Sequence, residues 1–417
     1  MPQHRTPTRP EIARRLLVAH RLNLSLGISV AAANVLGYAS IVVISASFGP
    51  ADFGAVGAMT SLGVIAGIPA GTLMVITAGR VGRGEKVPWA YALGLAVGLV
   101  ELLLITALSP VLMDVFDLDS WWPLLWLGLA LVPATMSGGQ QGVLLGSSRL
   151  GRLAVLFLVS GVARVAAAAV CIVAEPTVGG AYFFWLIAST VGLVVGHVLC
   201  HGLEPLHGQV RGLLRQASAL GTASFGLLAL ITLTSVDTIF ARHFLSAYDS
   251  GIYAVASMFA KVIFWGTQFI AMVVVPRLAQ RSEHFLILKA YAAVLAISVP
   301  AVAVLGIDPT FWLSLLGLQD YHDAAGLLVR FAALGILWSL IQVSIFADMS
   351  GGRNQMTAFI WAGLAVQTLL TVTWLDSGPD DIWLAAFIAA ALVTAAALVR
   401  MTWVQVRHSR PQPEPRH

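Results

Sequence analysis

The chain is 417 residues long, 58% hydrophobic and only 11% charged, with a mean hydropathy of +0.85. A soluble domain carries roughly a quarter charged residues, so this composition excludes a water-soluble globule and points to helices in lipid. A net charge of +4 says nothing for nucleic-acid binding, and Cys171 and Cys200, both within apolar runs, support neither a disulfide framework nor a metal site.

An apolar run of about 20 residues crosses the hydrocarbon core as a helix. Twelve are predicted: Asn23 to Gly49, Phe53 to Gly79, Trp89 to Met113, Trp121 to Gly146, Leu153 to Ala174, Ala181 to Cys200, Ala217 to Phe240, Ile252 to Pro276, Phe285 to Leu305, Ala325 to Phe346, Met356 to Leu375 and Ile382 to Val399. Such unbroken runs lack the alternation of a membrane barrel. The expected protein is therefore all-α and polytopic, with a segment 1–22, an N-lobe 23–200, a linker 201–216, a C-lobe 217–400 and a basic tail 401–417.

The loops are sorted by charge. Arg14, Arg15, Arg80, Arg83, Lys86, Arg149, Arg152, Arg211, Arg215, Arg277, Arg281, Arg353 and Arg400 fall on one side. Asp52, Asp114, Asp117, Asp119, Glu175, Asp249, Asp308, Asp320, Asp323, Asp376, Asp380 and Asp381 fall on the other, with Arg242 as the only cation near them. The positive-inside rule makes the basic side cytoplasmic, with both termini there. The first apolar run is too long for the core of a cleaved signal.

Six spans on each side of the linker predict two lobes related by a parallel pseudo-repeat, about an axis along the membrane normal. A shift of 197 residues carries Asp52 onto Asp249, Gly54 onto Gly251 and Arg80 onto Arg277. Gly63, Gly67 and Gly71, with Pro69 beside them, predict close helix packing and a kink.

The run Ser47-Phe48-Gly49-Pro50-Ala51-Asp52-Phe53-Gly54 resembles the turn between the first two helices of bacterial polysaccharide exporters and lipid-linked oligosaccharide flippases. Asp237 with Asp249-Ser250-Gly251-Ile252-Tyr253-Ala254 is similar to that family's seventh and eighth helices, and Leu315-Leu316-Gly317 through Tyr321 and Ala324 to the entry of its tenth. Ser246-Ala247-Tyr248 departs from the pattern in lacking a glycine. The resemblance, to a family of the superfamily that also holds lipid II flippases and multidrug extruders, implies alternating access between two lobes. It also implies a lipid-linked oligosaccharide substrate of the undecaprenyl pyrophosphate type, and possible contacts with other polysaccharide-assembly proteins. No cofactor is implied, and no Walker motif occurs.

Charges at membrane depth normally face a cavity or a partner. Arg164, Lys261 and Arg330 are expected to line a central cavity and bind an anionic head group, with Asn34, Gln140, Gln141 and Gln342 as uncharged companions. Glu101 and Asp237 are candidates for a coupling role or for charge pairs, Glu101 with Arg164 and Asp237 with Lys261, and Asp237 equally for a cap on Arg242. Each uncharged group is also read as an interhelical hydrogen bond, and Asp348 as interfacial. His197 and His201 lack the companions of a metal site, and no catalytic residue is assigned.

Two alternatives stand beside the flippase reading. A multidrug extruder would share the fold, but the first span holds no acidic residue. A membrane glycosyltransferase or polymerase would need a larger outer loop than 306–324 provides.

Overall fold

The computed structural model describes residues 32–203, 212–268, 270, 284–350 and 354–408, and among these the ordered elements are all helical. The chain is an all-α polytopic membrane protein. The first half holds α1 (Ala32–Ser45), α2 (Pro50–Ala66), α3 (Ile68–Gly82), α4 (Ala90–Ala107), α5 (Ser109–Phe116), α6 (Trp122–Gly146), α7 (Leu150–Ala174) and α8 (Val178–Leu199). The second holds α9 (Leu213–Leu233), α10 (Val236–Phe244), α11 (Ala247–Gly266), α12 (His284–Ile307), α13 (Pro309–Leu315), α14 (Ala325–Ser350), α15 (Gln355–Thr373) and α16 (Pro379–His408), with a 3-10 turn, Gln319–Ala324, before α14. The start of the first predicted span, most of the linker, and the end of the eighth span with Arg277 lie outside the described residues.

Nine segments among the described residues are long and apolar enough to cross a membrane, counting α2 with α3 as one. The remaining crossings, α1, α6 and α11, include the more polar ones. In α6 the sequence carries Thr135, Ser137, Gln140 and Gln141, and the helix is enclosed by α3, α4 and α8. In α11 it carries Ser257 and Lys261, and the helix packs between α2 and α14. Helices shielded by other helices tolerate polarity that lipid contact would penalise.

Several predicted spans are interrupted among the described residues. The second breaks at Gly67, where Pro69 opens α3, as the glycine ladder leads one to expect. The third, Trp89 to Met113, is two helices that meet at Leu108, with Pro110 in the first turn of α5. A proline there has no N–H to donate, so the chain restarts at a new angle. The seventh breaks at Thr234 and Ser235 without a proline; the Thr234 hydroxyl folds back onto the Ile231 carbonyl, 3.1 Å away.

The halves meet most closely where α2 crosses α11. Gly54 lies against Ser250 and Gly251, Gly251 rests on the Pro50 carbonyl, and a Cβ at Gly57 would stand 2.7 Å from that of Ala254. Gly54 and Gly251 are the positions that the 197-residue shift relates, so the repeat-related helices touch each other through their own glycines. Only glycine permits such an approach.

On the aspartate-rich side this crossing is sealed by polar contacts. Buried Arg242 donates to the carbonyls of Phe116 (2.7 Å), Ala51 (3.1 Å) and Asp117 (3.2 Å), and the Tyr321 hydroxyl donates to those of Phe48 (2.7 Å) and Ser45 (3.0 Å). On the arginine-rich side Arg80 donates to Gln216 at 2.7 Å, and Leu220 joins Leu73 and Val87 in one buried apolar cluster.

Candidate functional site

A cavity of about 560 Å³ lies between the halves, walled by α1, α2, Ala70 of α3, α6, α7 and α8 from the first and by the turn at Thr234 and Ser235, α10 and α11 from the second. Its size suits a small-molecule or head-group site. Arg164 of α7 and Lys261 of α11 line it, with Asn34 of α1 and Gln141 of α6. Among the described lining residues there is no aspartate or glutamate.

Arg164 makes no ion pair or hydrogen bond among the described residues. Space beside it comes from Gly37, where a Cβ would stand 3.9 Å from the guanidinium Nη1. Lys261 is held: its ammonium donates to Ser61 of α2 at 3.2 Å and to Thr238 of α10 at 3.1 Å, one partner from each half. Behind it Asp237 is fully buried, accepting from the Tyr253 hydroxyl at 3.1 Å and from Thr238 at 3.4 Å. Asp237 thus reaches Lys261 through Thr238, without a direct ion pair.

The other expected site residues are elsewhere. Arg330 lies outside the cavity, half exposed and paired with Asp380 at the start of α16. It is less than two turns into α14, and a long side chain at that depth reaches the polar edge more cheaply than the interior. Gln140 is spent on helix packing, its amide donating to the Tyr91 hydroxyl (2.6 Å) and the Leu193 carbonyl (2.9 Å). Gln342 is buried within the second half and does not line the cavity.

The expected pair of Glu101 with Arg164 is not formed. Glu101 is buried between α4 and α6, where it accepts from Thr135 at 2.9 Å and has no cation beside it among the described residues. Asp237 does not cap Arg242, whose guanidinium is taken up by carbonyls, the Ser250 hydroxyl and Asp117. Asp348, expected at the interface, is buried; it pairs with Arg400 and accepts from the Met356 amide at 2.9 Å, tying α14, α15 and α16 together.

Residues that sequence reasoning passed over complete the wall: Ser61, Thr238, Ser137, Ser160, Ser189, Trp185 and Trp265. The available signal was small polar residues near glycine inside apolar runs, as in Ser160-Gly161 and Ser189 with Gly192.

No protein-family model matches the sequence, and no curated protein does. Solved structures match across nearly the whole chain. An inward-facing multidrug resistance MATE family transporter of the MOP superfamily is 13% identical over 89% of this chain and 95% of that one, with a TM-score of 0.70. The lipid II flippase MurJ in an inward closed conformation is 10% identical over 90% of this chain and 87% of that one, with a TM-score of 0.69. The eukaryotic MATE transporter AtDTX14 is 12% identical over 93% and 96%, with a TM-score of 0.67. The fold is that of MATE transporters and MurJ. At these identities the likeness carries the helix arrangement of the MATE and MurJ fold and leaves the lining of the cavity to this chain's own residues.

Proposed function

We propose that this chain is a flippase or exporter that moves an anionic, lipid-linked saccharide from the cytoplasmic to the outer leaflet by alternating access. The observation that carries this reading is the charge of the cavity: Arg164 and Lys261 line it, and its described lining holds no carboxylate. A phosphate or diphosphate head group meets a bidentate donor at Arg164 and a point charge at Lys261. Oligosaccharide on an undecaprenyl diphosphate is the class that also fits the motif resemblance.

The aspartate-rich side is taken as the outer face and the arginine-rich side as cytoplasmic, in a bacterial cytoplasmic membrane. Under an inside-negative potential, outward movement of a head group gains roughly 2.3 kcal/mol per charge per 100 mV, so the potential alone biases the direction. The MATE likenesses keep a multidrug extruder as the second reading. Two cations in the wall oppose a cationic drug, and buried Asp237 would then be the coupling group.

The test is a leaflet-flipping assay on protein in liposomes, with a fluorescent undecaprenyl diphosphate saccharide. Arg164→Ala and Lys261→Ala are expected to abolish flipping while the protein still inserts, and adding Asp237→Asn to Lys261→Ala is expected not to restore it. Full rescue in the double variant would reduce Lys261 to a structural partner of Asp237.

A further inference from the structure

We propose that Trp185 is the saccharide platform of the cavity, the surface on which a sugar ring attached to the anionic head group stacks. The inference rests on the anion-export reading above and names what that reading leaves open, the part of the substrate beyond the phosphate.

Trp185 is on α8, seven residues from its aspartate-rich end, about 10 Å along the helix axis at 1.5 Å per residue. Arg164 is ten residues from the same end of α7, about 15 Å by the same rise. The indole is therefore nearer the sealed end of the cavity than the guanidinium is. Its benzo edge is fixed: Cη2 and Cζ3 lie where a side chain at Gly63 would stand, 3.2 and 3.4 Å from an ideal Cβ, and Tyr182 meets the ring edge to face with centroids 5.9 Å apart. Tyr182 is itself anchored by its hydroxyl to the Val56 carbonyl at 2.9 Å.

The pyrrole edge is not committed. The indole N–H makes no hydrogen bond among the described residues, yet it is not one of the sealed, unpartnered indole nitrogens, which belong to Trp338, Trp361 and Trp383. Buried tryptophan N–H groups usually find a partner. An indole locked at one edge and open at the other presents a rigid apolar face beside a free donor.

Along its length the cavity offers polar side chains without partners among the described residues. Ser189, one turn further along α8, and Ser160 and Ser137 make no hydrogen bond among the described residues, and Asn34 and Gln141 are likewise unbonded. A flat apolar face with an unbonded hydroxyl one turn away, in a cavity whose other polar side chains are also unbonded among the described residues, matches a pyranose, which has an apolar C–H face and a hydroxyl edge. An acyl chain would leave those polar groups unpaired, at a desolvation penalty, and an organic cation would meet Arg164 and Lys261.

The experiment compares two probes on the full-length protein in nanodiscs: a short-chain prenyl diphosphate, and the same molecule bearing one N-acetylhexosamine. Calorimetric affinities are measured for wild type, Trp185→Leu and Trp185→Phe, with thermal unfolding of each as a check on folding. Wild type is expected to bind the sugar-bearing probe about tenfold more tightly, which corresponds to 1.4 kcal/mol. Trp185→Leu is expected to bind both probes with the wild-type affinity for the bare diphosphate, while Trp185→Phe, which keeps a π face, retains part of the preference. Equal weakening of both probes by Trp185→Leu, or no preference in wild type, overturns the platform and leaves the anion-export reading intact. Failure of wild type to bind either diphosphate overturns both.

Discussion

Removing the guanidinium at Arg164 and at Arg330 is expected to have opposite consequences, because one faces the cavity with no partner among the described residues and the other faces Asp380 at the edge of the fold. Arg330→Gln should change flipping less than twofold and stability by no more than about 1 kcal/mol, the usual range of an exposed pair. A loss of flipping as large as that of Arg164→Ala would place Arg330 in the substrate path after all. Asp308 makes a separate, pH-dependent prediction. Its carboxylate accepts from the Thr310 hydroxyl (2.6 Å) and the Phe311 amide (3.0 Å), and these bonds hold it below its ordinary value. A depressed folded value means that the capping contribution is complete above the unfolded value, about 4, and fades as pH falls through the folded one. The protection factor of the Phe311 amide should therefore fall below about pH 4, and Asp308→Asn, which caps without titrating, should remove that dependence.

At the scale of elements, the crossing of α2 and α11 is where the two halves touch by backbone. A Cβ at Gly251 has no room above the Pro50 carbonyl, so Gly251→Ala should force the helices apart at a cost of about 1 to 3 kcal/mol to the sealed state. A cysteine at Thr60, on the cavity wall, should then become several-fold more reactive from the aspartate-rich side than it is in the parent. Unchanged labelling would mean that the crossing is not the seal. The glycines of this crossing were legible in the sequence as a repeat, since the shift that aligns the halves aligns Gly54 with Gly251. The break at Ser235 was not, because hydropathy averaged over a span registers length and is blind to a hydroxyl that turns back on its own backbone. Nor was the direction in which Arg330 points, since depth along a helix is written in the sequence while the neighbour on each face is decided by packing. The same limit explains Gln140 and Gln141, adjacent residues of which the first bonds α4 and α8 and the second faces the cavity.

For the whole molecule, the sorting of charge to two sides fixes a topology that labelling checks directly. Cysteines at Ser120 and Ser377, on aspartate-rich turns, should react with an impermeant thiol reagent applied to intact cells, and one at Ser147, on an arginine-rich turn, should not; the reverse pattern would invert the proposed orientation. The halves touch at both ends with one cationic cavity between them, and under the proposed alternating access each end would open in turn. The central claim is that this cavity takes an anion through Arg164 and Lys261 together. The most direct measurement is calorimetric titration of the purified full-length protein with a short-chain prenyl diphosphate and, separately, with ethidium as an organic cation. Saturable binding of the diphosphate is expected, weakened at least tenfold by Arg164→Gln and by Lys261→Gln, that is by about 1.4 kcal/mol or more each, with no binding of ethidium. Binding of ethidium that survives in both variants, with none of the diphosphate in wild type, would contradict it.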